Sequence, residues 1–158
     1  MVMENNPILS PSFLPYGFFT LHDYATGMAV CHAAQNAGVL TQQTSRAPFG
    51  FLSAAGAAGF MGVSWWQALI RQLEQESGCQ YFHALDCGRS VGHAVMACTL
   101  GQKNVILQTD SERMAAVRVL YQTCGGHLFS VRPPSFDLTG PLSAKTHLAA
   151  YFMRSYCQ

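Results

Sequence analysis

An acid, a thiol, a cation and a hydroxyl fall close together at Asp86, Cys87, Arg89 and Ser90. Within this stretch Gly88, Arg89, Ser90, Val91 and Gly92 spell GxSxG, whose glycines permit the sharp turn that presents a serine hydroxyl as a nucleophile. Such a serine needs a base to take its proton and an acid to orient that base. Asp110 with His127, or Asp137 with His147, stand downstream to supply them. The competing reading is that Ser90 caps the helix that follows it, because serine is strongly favoured there. Cys79, His83 and Cys87 have the spacing of metal ligands on paper. On a strand, however, His83 and Cys87 stand about 13 Å apart, too far to share one ion. Neither a metal nor a cofactor is therefore expected. His32, His93 and His147 fall on helical segments, where a hydrogen-bonded imidazole is the default.

The elements that position these residues follow one repeating grammar. Phe18 to Leu21 reads as a short strand, and a helix runs from the cap Asp23 through Ala37 to a stop at Gly38. Phe49 to Ser53 reads as a second strand, leading into a small-residue run from Ala54 to Gly59 that suits a loop or a close backbone approach. A strongly amphipathic helix follows. Ser64 and Gln67 have capping-box spacing, Trp66, Leu69, Ile70 and Leu73 share one face, and Gly78 ends it. Of the adjacent Trp65 and Trp66, only one can face the core. Strands are then expected at Gln80 to Asp86, Asn104 to Gln108 and His127 to Val131, with helices at Ser90 to Leu100 and Asp110 to Cys124 between them. The strand centres recur about every 23 residues, the length of one helical crossover with two short loops. Strands so connected are parallel, with right-handed crossovers. Leu148, Tyr151, Phe152 and Tyr156 mark a last amphipathic helix. The fold class is therefore α/β, with about five mostly parallel strands alternating with helices, either as an open three-layer sheet or as a partial β/α barrel. Residues 1–16, with Pro7, Pro11 and Pro15, read as an extended arm, and residues 17–158 as one domain.

In either architecture ligands bind at the carboxyl ends of the strands. Those ends carry His22 and Asp23, Ser53, Asp86 with Cys87 and Arg89, Gln108 with Thr109 and Asp110, and Arg132. Asp86, Cys87, Arg89, Thr109, Asp110 and Arg132 are the candidate ligand-binding set, with Asp86 and Ser90 as candidate catalytic residues. Helix capping is the alternative for Asp23 and Asp110.

Two local resemblances suggest chemistry. The GxSxG of residues 88–92 resembles the nucleophile turn of α/β-hydrolases, which implies a serine hydrolase acting through Ser90. From Tyr81 to Asp110, an apolar strand, Leu85-Asp86-Cys87-Gly88, a helix ending in Gly101 and then Val105-Ile106-Leu107 resemble the strand-helix-strand of class II aldolases. That resemblance implies Asp86 as proton donor, with Cys87 where the family has a zinc-binding histidine and Gln108 where an aspartate follows the next strand.

Composition bounds the rest. A chain of 158 residues fits one core. Only 11% of residues are charged, against roughly 25% in an average soluble domain. Uncharged and apolar area must then face outward or face a partner, so a homo-oligomer is expected. Net charge is +1, with nine Lys and Arg dispersed singly, which argues against nucleic-acid binding. Apolar runs are too short for a membrane span, and no export signal is read at the start of the chain, so a cytoplasmic location is expected. The six cysteines then read as buried thiols rather than a disulfide framework. The functional expectation is a small-ligand or protein-binding module with a polar crevice at the strand ends, or else a small lyase or hydrolase.

Overall fold

The computed structural model describes residues 17–138 and 144–156; the arm expected over 1–16 lies outside them. The elements run β1 (Phe18–Leu21), α1 (Tyr24–Asn36), β2 (Arg46–Ser53), α2 (Ala57–Phe60), α3 (Val63–Ser77), β3 (Gln80–Asp86), α4 (Val91–Thr99), β4 (Asn104–Ile106), α5 (Ser111–Thr123), β5 (His127–Phe129), β6 (Phe136–Asp137) and α6 (Ala144–Tyr156). The six strands form one sheet in the order β5-β4-β3-β2-β1-β6, and every pairing is parallel. The α/β class read from the sequence is the one observed, with one strand more than expected.

From β1 to β5 each strand lies beside its predecessor, so crossovers of constant hand send every helix to the same face. The burial pattern records this. Phe19, Leu21, Phe49, Phe51, Tyr81, Leu85, Val105 and Leu128 form the main core with Val30, Trp66, Ile70, Leu73, Ala94, Val117 and Phe152 from the helices. Residues pointing the other way make a second cluster of Leu52, Phe82, Ala84 and Ile106, flanked by Phe18 and Phe129, with no helical residue in it among the described residues. In a flat sheet β1 and β5, four spacings apart, would stand about 19 Å from each other. Yet the rings of Phe18 on β1 and Phe129 on β5 meet edge to face with centroids 6.4 Å apart, and Phe82 on β3 touches both. The sheet therefore curls around its helix-free face as part of a barrel wall does, which selects the partial-barrel arrangement over the three-layer one.

Local differences from the expected elements have physical reasons. The run after β2 is not all loop: Ala57 and Ala58 are buried and form the short helix α2. The Ser64 capping box does not form. Val63 is itself buried, so α3 starts at that residue with Gly62 at its N-cap, and Ser64 is exposed inside the helix. Strand β2 begins at Arg46 rather than Phe49, and its register with β3 shifts around Pro48, which has no amide hydrogen for the ladder. Strands β4 and β5 are shorter than expected, and β6 was not anticipated. Trp66 is fully buried while Trp65 stays partly exposed. His32 and His147 sit on α1 and α6 with their side chains exposed, and His93 is half-buried on α4. Among the described residues no helix is long and apolar enough to cross a membrane.

Candidate functional site

Alternation along β3 decides which side chain reaches which face. Tyr81, Leu85 and, just past the strand, Cys87 join the helix-side core, whereas Phe82 and Ala84 point into the concave face. Asp86 is the last concave position, and it is only 4% exposed. A carboxylate there needs partners, and both its oxygens have them. Oδ1 accepts from the backbone amides of Gly56 at 3.0 Å and Gly88 at 2.8 Å. Oδ2 accepts from Nη1 of Arg132 at 2.7 Å. The two amides can converge on one oxygen because Gly56 and Gly88 both adopt the left-handed region, at φ 68° and 58°, and because these loops pass close together.

Arg132 comes from the connection between β5 and β6, which crosses the carboxyl end of the concave face. Its Nη2 donates to Thr20 Oγ1 at 3.0 Å and to the Ser53 carbonyl at 2.8 Å. One guanidinium thus ties together the ends of β1, β2 and β3. Ser53 Oγ accepts from the Asp86 amide at 2.8 Å, and Thr20 Oγ1 lies 2.6 Å from Ser135 Oγ. The guanidinium has five N–H donors. Three are used, leaving Nε–H and one Nη1 hydrogen with no acceptor among the described residues, on a side chain 23% exposed. At the neighbouring rim His22 Nε2 and Asp137 Oδ1 lie 2.6 Å apart, joining the ends of β1 and β6.

The other sequence candidates fall in different places. Arg89 is exposed in the turn after β3, and Thr109 is half-buried after β4. Asp110 caps α5, accepting from the Arg113 amide at 3.0 Å, and that bond holds its carboxyl below the usual range, with the nearby Arg113 charge adding to it. Asp23 caps α1 in the same way and is lowered by the Thr26 hydroxyl and amide. Ser90 is the N-cap of α4, its hydroxyl accepting from the His93 amide at 3.2 Å. The acid and base partners proposed for it are engaged elsewhere: His127 opens β5 in register with Asn104, at the amino edge of the sheet, Asp110 caps α5, and Asp137, the acid paired with His147, lies against His22. Cys87 turns away from Asp86 into the helix-side core. Burial, with a smaller effect of the Asp86 charge, pushes its thiol up to about 12, so it stays protonated near neutral pH and is a poor thiolate ligand. Among the described residues no three His, Cys, Asp or Glu side chains come together as a metal-holding group.

The sequence did point to Asp86, Arg89, Thr109 and Arg132 at one edge. It missed Thr20, Gly56 and Ser135, whose roles depend on the curl of the sheet and the path of the β5–β6 connection. No protein-family model matches the chain, and none of the curated proteins is similar to it.

Proposed function

We propose that the protein is a binding domain that holds a small polar molecule bearing a carboxylate or phosphate at the carboxyl edge of the sheet. The Arg132 guanidinium is the anchor, with Arg89 and Thr109 at the rim. The observation that carries this reading is the oriented, partly open guanidinium: fixed by Asp86, Thr20 and Ser53, it keeps a hydrogen on Nε and one on Nη1, either of which can serve an acceptor oxygen arriving at the strand ends. A guanidinium held in advance loses little freedom on binding, and each remaining N–H is a charged donor suited to an oxyanion. The position agrees with the general rule for parallel α/β sheets. Binding is favoured over lyase or hydrolase chemistry because Asp86 has no free oxygen for a proton transfer and Ser90 serves as a cap.

Thermal-shift and calorimetric titration with short carboxylates and phosphate monoesters tests it. At least one is expected to raise the melting temperature, with Arg89→Gln and Thr109→Ala weakening its binding while the apo protein stays folded. A flat response across both classes overturns the reading.

Self-association belongs to the same proposal. The outer side of α2, α3 and α4 exposes Phe60, Trp65, Val95, Met96 and Leu100 on a chain poor in charge. Gln67 of α3 donates to the Leu100 carbonyl and keeps the two helices adjacent. A cytoplasmic location remains part of this reading.

A further inference from the structure

Five cysteines lie among the described residues, and two of them differ from the rest. Cys31, Cys79 and Cys87 are buried, whereas Cys98 is half-buried and Cys124 exposed. Cys98 lies in the last turn of α4 and Cys124 is the C-cap of α5. Their sulfurs are 2.8 Å apart. That is longer than the disulfide bond of about 2.04 Å, but closer than two thiols ordinarily rest.

The helices carrying them are already fixed together. Tyr121 of α5 donates its hydroxyl to the Ala94 carbonyl of α4 at 2.7 Å in the buried interface, and Ala97 and Val117 pack beneath. Bond formation therefore needs a small motion of two side chains rather than of two helices.

We propose that Cys98 and Cys124 form a reversible disulfide that locks the ends of α4 and α5. The oxidant is a low-molecular-weight disulfide such as oxidised glutathione. The exposed Cys124, as its thiolate, attacks one sulfur of that disulfide, and one glutathione thiolate leaves. Cys98 loses its proton and attacks the Cys124 sulfur of the mixed disulfide, expelling the second glutathione. The protein loses two electrons and two protons, and the reagent is reduced to two thiols. Burial, and then the neighbouring Cys124, push the Cys98 thiol up to about 11. The second step should therefore speed up with rising pH, because the thiolate is the attacking species.

The folded full-length protein is incubated with oxidised glutathione, free thiols are trapped by alkylation, and the tryptic peptides are read by mass spectrometry. The expected product is a cross-link between the peptides carrying Cys98 and Cys124, in a monomeric chain on non-reducing gels, reversed by dithiothreitol. The loop it closes is of moderate length, so the oxidised form should melt about 5–10 °C higher. Cys98→Ser should halt the reaction at a glutathione adduct on Cys124, which shows the order of attack without depending on stability. A lasting adduct on Cys124 in the unsubstituted protein, or complete alkylation of both thiols, overturns the proposal, as does a cross-link found only between chains.

Discussion

Asp86 shows how much a single position depends on its surroundings. As an open crevice carboxylate it would be dispensable, but it is a buried acid bound to one guanidinium and two amides. Asp86→Ala strands the Arg132 charge and leaves two loop amides without an acceptor, so urea unfolding should show a loss of about 3–5 kcal/mol. A loss under 1 kcal/mol would mean that the pair is not formed in solution. His83 gives a second test. Trp66 Nε1 at 3.2 Å and Gln102 Nε2 at 3.3 Å both lie against its Nδ1, and since each is a donor, Nδ1 accepts and the neutral ring carries its proton on Nε2. Burial holds its pKa down to about 4, against 6.5 for a free histidine. The unfolded chain therefore takes up this proton first as the pH falls, and the folded state loses stability between about pH 6.5 and 4, by at most about 3 kcal/mol. His127, lowered by burial and by Arg118, acts in the same direction. Unfolding free energies measured across this window should slope upward with pH, and the slope should flatten in His83→Gln. An equal slope in both proteins would remove His83 from the account.

Some elements were legible in the sequence because their ends carry their own signals. Asp23, Ser90 and Asp110 cap α1, α4 and α5 as their types suggest, and Gly78 ends α3. Strand β3 spans the residues read for it, since an apolar run between Gly78 and Gly88 has little freedom to slip. Two-residue β6 was not legible, because it exists only through its pairing with β1 and local pattern has nothing to detect. The start of α3 was misplaced because burial of Val63 outweighs a surface cap. Another element boundary is set by contact rather than by conformation. A Cβ on Gly126, just before β5, would lie 2.1 Å from the Lys103 carbonyl oxygen and 2.9 Å from the Tyr121 ring. The carbonyl also accepts from the His127 amide that starts the β4–β5 ladder, so it cannot retreat cheaply. Gly126→Ala should cost about 2–3 kcal/mol in chemical denaturation, whereas Gly125→Asn, at a left-handed position with open space, should cost less than half as much. Equal costs would show that the close approach is absent.

For the whole molecule, composition anticipated a shortage of surface charge but not where the apolar area would lie. The candidate site was half legible: its edge followed from the parallel direction of successive strands, while the link from Arg132 to Thr20 and Ser53 required the curl. If the α2–α4 side associates with a second copy, light scattering should give a dimer or larger species whose population rises with concentration. Met96→Glu combined with Phe60→Glu should return it to monomer with an unchanged circular dichroism spectrum; a monomer at all concentrations before substitution removes the interface. The guanidinium clasp has a further bearing on synthesis. Arg132 lies 46 residues after Asp86 and 112 after Thr20. A nascent chain that has emerged only as far as β5 therefore holds an acid poised for burial with nothing to neutralise it. Contacts of such long sequence range form late and slowly, so the curl should close only when Arg132, beyond β5, arrives. Ribosome-stalled lengths ending before Arg132 should remain open to proteases, and those that expose it should abruptly become resistant.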